Sequence, residues 1–386
     1  MASAAEDRHH TGDAMNTALP RCPEGPDWSL RWETLLKQYR WLREMEGCPQ
    51  DPIHHAEGDV LIHTRMVCEA LVADPAWRAL PEAERAILFA AALLHDVAKP
   101  ACTQTDPAGR IRSPGHAKRG DREARAILWE DGASPGDREA VAALVRYHQM
   151  PYLLWDRPDP ARLVRQISMR ARCDWLALLA RADIKGRVCP DASQQLESIA
   201  LFVAQCEELD CLRQPAPFPS DHSRFEYFRR EDRDPNYAAW DDTRCTLTLM
   251  CGLPGAGKDH WLREHDPALP VVSLDALRRS MGVSWGDDQG AVAHAARERA
   301  REFLRQGQSL AWNATNLTQT RRAPLISLAE SYRARVRIVC VDPPAAQLMR
   351  QNQDRDATVP RAAIWELLEK WEMPDLTEAH ALIWVV

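Results

Sequence analysis

Apolar residues recur at helical spacing through Trp32, Leu35, Leu36 and Tyr39, again from Ile87 to Leu94, and again at Val141, Leu144 and Val145. A period near 3.6 predicts amphipathic helices. Strand-like alternation is missing between Trp28 and Cys211, so this half is expected to be all-α. Pro49-Gln-Asp-Pro52, Asp106-Pro-Ala-Gly109, Ser134-Pro-Gly136 and Pro158-Asp-Pro160 punctuate it with turn chemistry. Further on the pattern changes. Cys245 to Cys251, Pro270 to Leu274, Ser309 to Trp312 and Val336 to Val341 are short β-prone runs separated by helical patterns, which predicts a parallel sheet covered by helices. The expected fold class is multidomain, an all-α domain followed by an α/β domain with a parallel β-sheet.

At 386 residues the chain is long for one core and comfortable for two. Residues 1–27 lack a hydrophobic period and read as a flexible tail. The helical domain is expected over 28–211, a connector opened by Pro215-Ala-Pro-Phe-Pro219 over 212–243, and the α/β domain over 244–386. No internal repeat is visible.

A net charge of −7 removes the basic excess that drives binding along nucleic acid; a nucleic-acid substrate would be gripped locally, by its end. The 11 cysteines include no C-x-x-C pair and no secretory signal is evident, so the expectation is a cytoplasmic protein with reduced thiols. The longest apolar stretch, Ala86 to Leu94, is far short of the roughly 18 residues of a membrane span and reads as a buried helix. The 14 tryptophans are read as packing material, with base stacking as the alternative.

Gly252-Leu-Pro254-Gly255-Ala256-Gly257-Lys258 follows an apolar strand and precedes a helix, the context of a phosphate-binding P-loop. Its backbone N–H groups turn toward phosphate oxygens and Lys258 supplies charge for the β and γ phosphates of an NTP. Asp259 stands where a Ser or Thr normally touches magnesium; a carboxylate is still an oxygen ligand for Mg2+, directly or through water. Asp275 is the candidate base for an attacking hydroxyl, and Arg278, one turn on, can reach a substrate phosphate. An Asp at that place is also a common N-cap.

In the first half, His95 and Asp96 sit side by side at the end of a buried helix, with His63 upstream and Asp183 downstream. Imidazole beside carboxylate suits a divalent transition metal such as Mn, Co or Ni. Lys99, Lys185 and Arg187 flank these positions and can hold a substrate phosphate; His54 and His55 are lesser candidates.

The order His63, His95-Asp96, Asp183 resembles the HD phosphohydrolase superfamily, which implies that these four ligate metal and that Asp96 is catalytic. His116 and His148 match further histidines that some members use for a second metal or the scissile phosphate. The second half resembles the polynucleotide 5′-hydroxyl kinases on its P-loop, on Asp275-x-x-Arg278 and on Asn352-Gln-Asp-Arg355-Asp-Ala-Thr-Val359-Pro360. That resemblance implies Asp275 as general base, Arg278 as acceptor-phosphate clamp and Arg355 as lid arginine over the nucleotide. Asn313-Ala-Thr315-Asn316, with Arg321 and Arg322 behind it, is similar to the family's acceptor-side segment.

Together the halves resemble the bacterial HD–polynucleotide kinase (HD-Pnk) end-healing enzymes. The implied function is RNA repair: an ATP- or NTP-dependent 5′-kinase with Mg2+, a 2′,3′-cyclic phosphate and 2′-phosphate hydrolase, and a separate polynucleotide ligase as partner. Two other readings stand beside it, an HD nucleotidase fused to a nucleoside or metabolite kinase, and an NTP-gated nucleic-acid-binding protein. Asp275, Arg278 and Arg355 argue against the last, because a switch needs no acceptor base.

Overall fold

The computed structural model describes residues 19–284, 287–354 and 358–386. The chain divides into two compact units, Met1–Pro217 and Phe218–Val386. Among the described residues no helix is long and apolar enough to cross a membrane.

The first unit is built on helices α1 (Val60–Ala73) and α2 (Glu82–Leu94). Asp59 starts α1 by accepting from the Ile62 N–H, an N-cap that satisfies one of the free donors. Every residue of α2 from Ile87 to Leu94 is buried, which a helix apolar on all sides requires. Around it pack α1, α4 (Pro135–Tyr147, capped by Ser134) and α5 (Cys173–Lys185), with α3 (His116–Glu130) against α4 and α6 (Ala192–Glu208) against α5.

One element departs from the all-α expectation. Gln104–Thr105 (β1) and Ile111–Arg112 (β2) pair as an antiparallel ribbon across the Asp106-Pro-Ala-Gly109 turn, where Asp106 Oδ1 accepts from the N–H groups of Ala108 and Arg110. Two residues per strand are too few to show alternation. Part of the stretch read as a tail is also laid down against the unit: Pro20, Cys22 and Pro23 are buried.

The second unit opens inside the stretch read as a connector. Helix α7 (Asp221–Arg229) is capped by Ser220, whose Oγ accepts from the Ser223 N–H. Buried Arg224 donates to the carbonyls of Leu376, Ala379 and His380, so this polar-looking helix is tied into its own unit.

The sheet holds β3 (Cys245–Cys251), β4 (Val271–Ser273), β5 (Leu310–Asn313), β6 (Ala334–Val341) and β7 (Ala381–Val385) in the order β4-β5-β3-β6-β7, every pairing parallel. The first four lie where the β-prone runs predict them. The fifth, β7, is an edge strand with half-exposed Trp384, and none of the β-prone runs read from the sequence covers it. In a parallel sheet the carboxyl ends of the strands share one edge, and there the central strand β3 opens into the glycine loop while β4 and β5 end at Ser273 and Asn313, paired in register.

Gly252 makes the first turn of that loop at φ 145°, and a Cβ there would lie 2.4 Å from the Val341 carbonyl oxygen. Gly252→Ala is therefore expected to cost roughly 1–3 kcal/mol of stability in the second unit, read as a lowered urea midpoint; an unchanged midpoint would mean that the loop relaxes freely.

Candidate functional site

In the first unit, six side chains from five helices meet at one buried point. His63 comes from the first turn of α1, His95 and Asp96 from the end of α2, His116 from the start of α3, His148 from the end of α4 and Asp183 from α5. His63 Nε2 lies 3.3 Å from His95 Nε2 and 3.1 Å from Asp183 Oδ1. Asp96 bridges the two halves of the cluster, with Oδ2 3.1 Å from His95 Nε2 and Oδ1 3.4 and 3.8 Å from Nε2 of His116 and His148. The outcome is two ligand triplets, His63-His95-Asp183 and Asp96-His116-His148.

Each imidazole is held from behind. The Nδ1–H of His95, His116 and His148 donates to the carbonyl three residues earlier, that of Ala92, Ser113 and Val145, at 2.7–2.8 Å. His63 Nδ1 faces Glu57 Oε1 at 3.0 Å and the Gly186 carbonyl at 3.3 Å. Such contacts put the proton on Nδ1 and turn the Nε2 lone pair inward. His63 and His95 then turn Nε2 toward Nε2 at hydrogen-bond distance, an arrangement that a proton on one ring or a metal ion between them relieves.

Two further atoms fit the same conclusion, since Asp96 Oδ1 and His116 Nε2 are buried and make no hydrogen bond. The donor set of imidazoles and carboxylates matches a divalent transition metal. The local field acts on each group separately. Burial opposes charge on His95, yet Asp96 and Asp183 outweigh it and raise its pKa. Burial also opposes charge on Asp96 and Asp183, but His95 and Lys99 hold the first, and Arg187 and His63 the second, well below the usual carboxylate range. Burial drives His148 down to about 3 and also lowers His116, keeping both neutral and able to ligate.

The spacing of α1 and α5 is set by backbone. A Cβ on Gly186 would lie 2.7 Å from the Val67 nitrogen, so the end of α5 touches α1 main chain to main chain and brings Asp183 to His63.

In the second unit, Lys258 Nζ donates to the Gly252 and Leu253 carbonyls at 2.9 and 2.8 Å, lying back over its own loop. Asp259, at the start of α8 (Lys258–His265), accepts from Asn313 Nδ2 at 2.7 Å. Asp275 lies in the first turn of α9 (Leu274–Ser280), where the cap is Ser273, not Asp275. Its half-exposed carboxylate instead pairs with Arg278 at 2.5 Å, and Arg278 Nε donates to Gln289. Asn352 donates to and accepts from the Val359 backbone at 2.8 and 3.0 Å. Arg355 itself lies outside the described residues.

Several expected contacts fall elsewhere. Lys185 sits near Asp74 beyond the far end of α1, 3.7 Å away, several turns from His63. Arg187 is committed to Asp183 and to the Tyr152 hydroxyl, leaving Lys99 as the nearby cation, bonded to Asp96 and Gln50 at 2.7 Å each. Asn316 braces β3 through the Met250 carbonyl. Arg322 is fully buried on both oxygens of Glu378 at 2.8 Å, so it serves the fold rather than a substrate. Glu57, Tyr152 and Gln50 are partners the sequence reading missed; Glu57 sits two residues after His55 with no motif to mark it. His55 shares Glu57 with His63, its Nδ1 at 2.8 Å, while His54 is in none of the candidate metal groups found among the described residues.

An HD domain model matches residues 59–174 and an AAA domain model matches residues 247–374. The bifunctional uridylyltransferase/uridylyl-removing enzyme of Bordetella avium is 34% identical over 106 residues, 26% of this chain and 11% of that protein. The multifunctional CCA protein of Halorhodospira halophila is 37% identical over 102 residues, 26% of this chain and 22% of that protein. The chain thus spans a small part of the curated relatives it matches. Two solved structures are similar at lower identity. A candidate kinase of Chloroflexus aurantiacus is 20% identical with TM-score 0.32, covering 37% of this chain and 86% of that one. Kti12 of Chaetomium thermophilum in complex with ADP-AlF3 is 17% identical with TM-score 0.28, covering 36% and 88%. Likeness that low carries no argument about substrate. The chain joins an HD hydrolase domain to a P-loop kinase-like domain.

Proposed function

We propose that the chain heals nucleic-acid ends, RNA in the first instance, with the second unit phosphorylating a 5′-hydroxyl from ATP or another NTP and the first hydrolysing a 2′,3′-cyclic phosphate or 2′-phosphate. A separate polynucleotide ligase would seal the product. The observation that carries this reading is the Asp275–Arg278 pair beside the P-loop edge, an acceptor-side base and phosphate clamp for which a nucleotide switch has no use.

In the kinase reaction, the loop N–H groups between Gly252 and Gly257 hold the NTP phosphates, and Lys258 exchanges its two carbonyl partners for phosphate oxygens. Arg278 turns from Asp275 to the acceptor phosphate, which frees the carboxylate to take the proton of the attacking hydroxyl. Asp259, steadied by Asn313, would hold a magnesium ion, which would supply charge neutralisation for the NTP phosphates.

In the hydrolase, His63, His95, Asp96 and Asp183, joined by His116 and His148, would hold divalent metal, which supplies a readily deprotonated water and a polarised phosphoryl oxygen. Lys99 keeps Asp96 charged and oriented. Glu57 holds the His63 proton on Nδ1, and Arg187 with Tyr152 fixes the Asp183 carboxylate. The small-molecule reading draws on the net charge of −7, and the same assay with nucleosides as acceptors decides between them.

The test offers an RNA with a 5′-hydroxyl and a 2′,3′-cyclic phosphate, ATP and a panel of divalent metals. Asp96→Ala is expected to abolish end hydrolysis and spare 5′-phosphorylation, because separate sites act independently. Asp275→Ala should lower phosphorylation by about 10²–10⁴-fold with ATP affinity intact. Loss of both activities in either folded variant would defeat the two-site model.

Glu57→Gln keeps the size of the side chain and removes its charge behind His63. Manganese affinity, followed by calorimetry, is expected to fall about 10–100-fold; an unaltered affinity would show that the Glu57–His63 contact does not govern the ligand.

A further inference from the structure

Cys173, Cys206 and Cys211 form a cluster for which the proposed reactions have no use. Helix α6 ends in a turn where Asp210 adopts φ 51°, the Asp210 N–H donates to Glu207 at 3.1 Å and the Cys211 N–H donates to Cys206 at 2.8 Å. That doubly bonded left-handed C-cap sets the side chains at the ends of its longer bond against each other, in most helices as an apolar contact. Here both are thiols. The path from one Cα through the carbonyl oxygen and the 2.8 Å bond to the other Cα cannot exceed about 6.7 Å, inside the roughly 4.4–6.8 Å that a disulfide spans.

The third thiol, Cys173 at the start of α5, interacts electrostatically with both. The neighbouring thiols Cys173 and Cys206, with Arg165 and Ser168 adding to them, pull the Cys211 thiol down, while Cys173 and Cys211 push Cys206 up. A thiolate beside a protonated thiol is the arrangement that oxidants attack. All three are buried, but Cys211 directly follows exposed Asp210 and lies two residues before exposed Arg213. Asp210 holds a left-handed conformation that suits glycine better, so opening this turn uncovers the sulfur.

We propose that Cys206 and Cys211 are a thiol modification site, a pair that a two-electron oxidant such as hydrogen peroxide closes to a disulfide. The Cys211 thiolate attacks peroxide; an S–O bond forms, the O–O bond breaks, and hydroxide leaves and takes a proton. The Cys206 sulfur then attacks the Cys211 sulfur, the S–S bond forms and the oxygen departs as water with the Cys206 proton. Each sulfur gives up one electron, and one peroxide becomes two waters.

The test treats the full-length protein with graded hydrogen peroxide, blocks remaining thiols in acid, and maps links after cleavage at glutamate, since Glu207 and Glu208 lie between the two cysteines. The expected result is a Cys206–Cys211 link that forms before Cys102 or Cys189 is modified, although those two are the half-exposed cysteines. In Cys206→Ala, shown folded by circular dichroism, Cys211 should stop at a sulfenic acid that dimedone traps. Oxidation of Cys102 or Cys189 first, a link through Cys173 instead, or no trapped sulfenic acid in the variant would each overturn the proposal.

Discussion

Asp96 is buried with one carboxylate oxygen on His95 and Lys99 and the other turned toward His116 and His148. Burying a carboxylate is expensive unless opposite charge and hydrogen bonds surround it. Five helices must therefore bring their polar residues to one point while their remaining faces pack as apolar surface. The eight buried residues from Ile87 to Leu94 make this possible, because they fix the end of α2 in the middle of the unit before any polar contact is counted. Removing the cationic partners of Asp96 would leave the carboxylate stranded, so fold and chemistry rest on the same group.

The second unit solves its problem differently. Its phosphate loop is made from main chain at a sheet edge, with Lys258 folded back on two carbonyls and the acidic side chains Asp259 and Asp275 left outside the core. Buried charge is spent instead on architecture: Arg322 with Glu378 and Arg224 with three carbonyls tie distant segments together. A bidentate guanidinium suits that role, since its planar fork satisfies several acceptors at once.

The division into helical and sheet-bearing halves is legible because long helical periods give way to short apolar β-prone runs, and the P-loop is legible because its glycines and lysine come in one contiguous run. The candidate cluster is legible as a set of residue types, but its supports are not. Glu57, Tyr152 and Gln50 act across 6–49 positions of chain, and nothing local announces them. Ribbon β1–β2 is too short to show alternation, while α7 hides in a polar stretch because its buried face mixes His222, Ser223 and Arg224 with Phe225 and Tyr227. Asn316 and Arg322 sit in a motif-like segment, yet a motif does not say which way a side chain faces, and both turn inward.

The contact of Gly186 with Val67 bears on ion choice. Side-chain packing yields by rotamer changes, whereas two main chains in van der Waals contact yield very little. The approach of α5 to α1, and with it of Asp183 to His63, is thus set by main chain rather than by side-chain packing. Metal–oxygen bonds near 2.0–2.1 Å and near 2.3–2.6 Å separate small from large divalent ions, so a few tenths of an ångström decide which ion fits. For a cation held at the cluster, the methyl group missing from position 186 would act as the gauge.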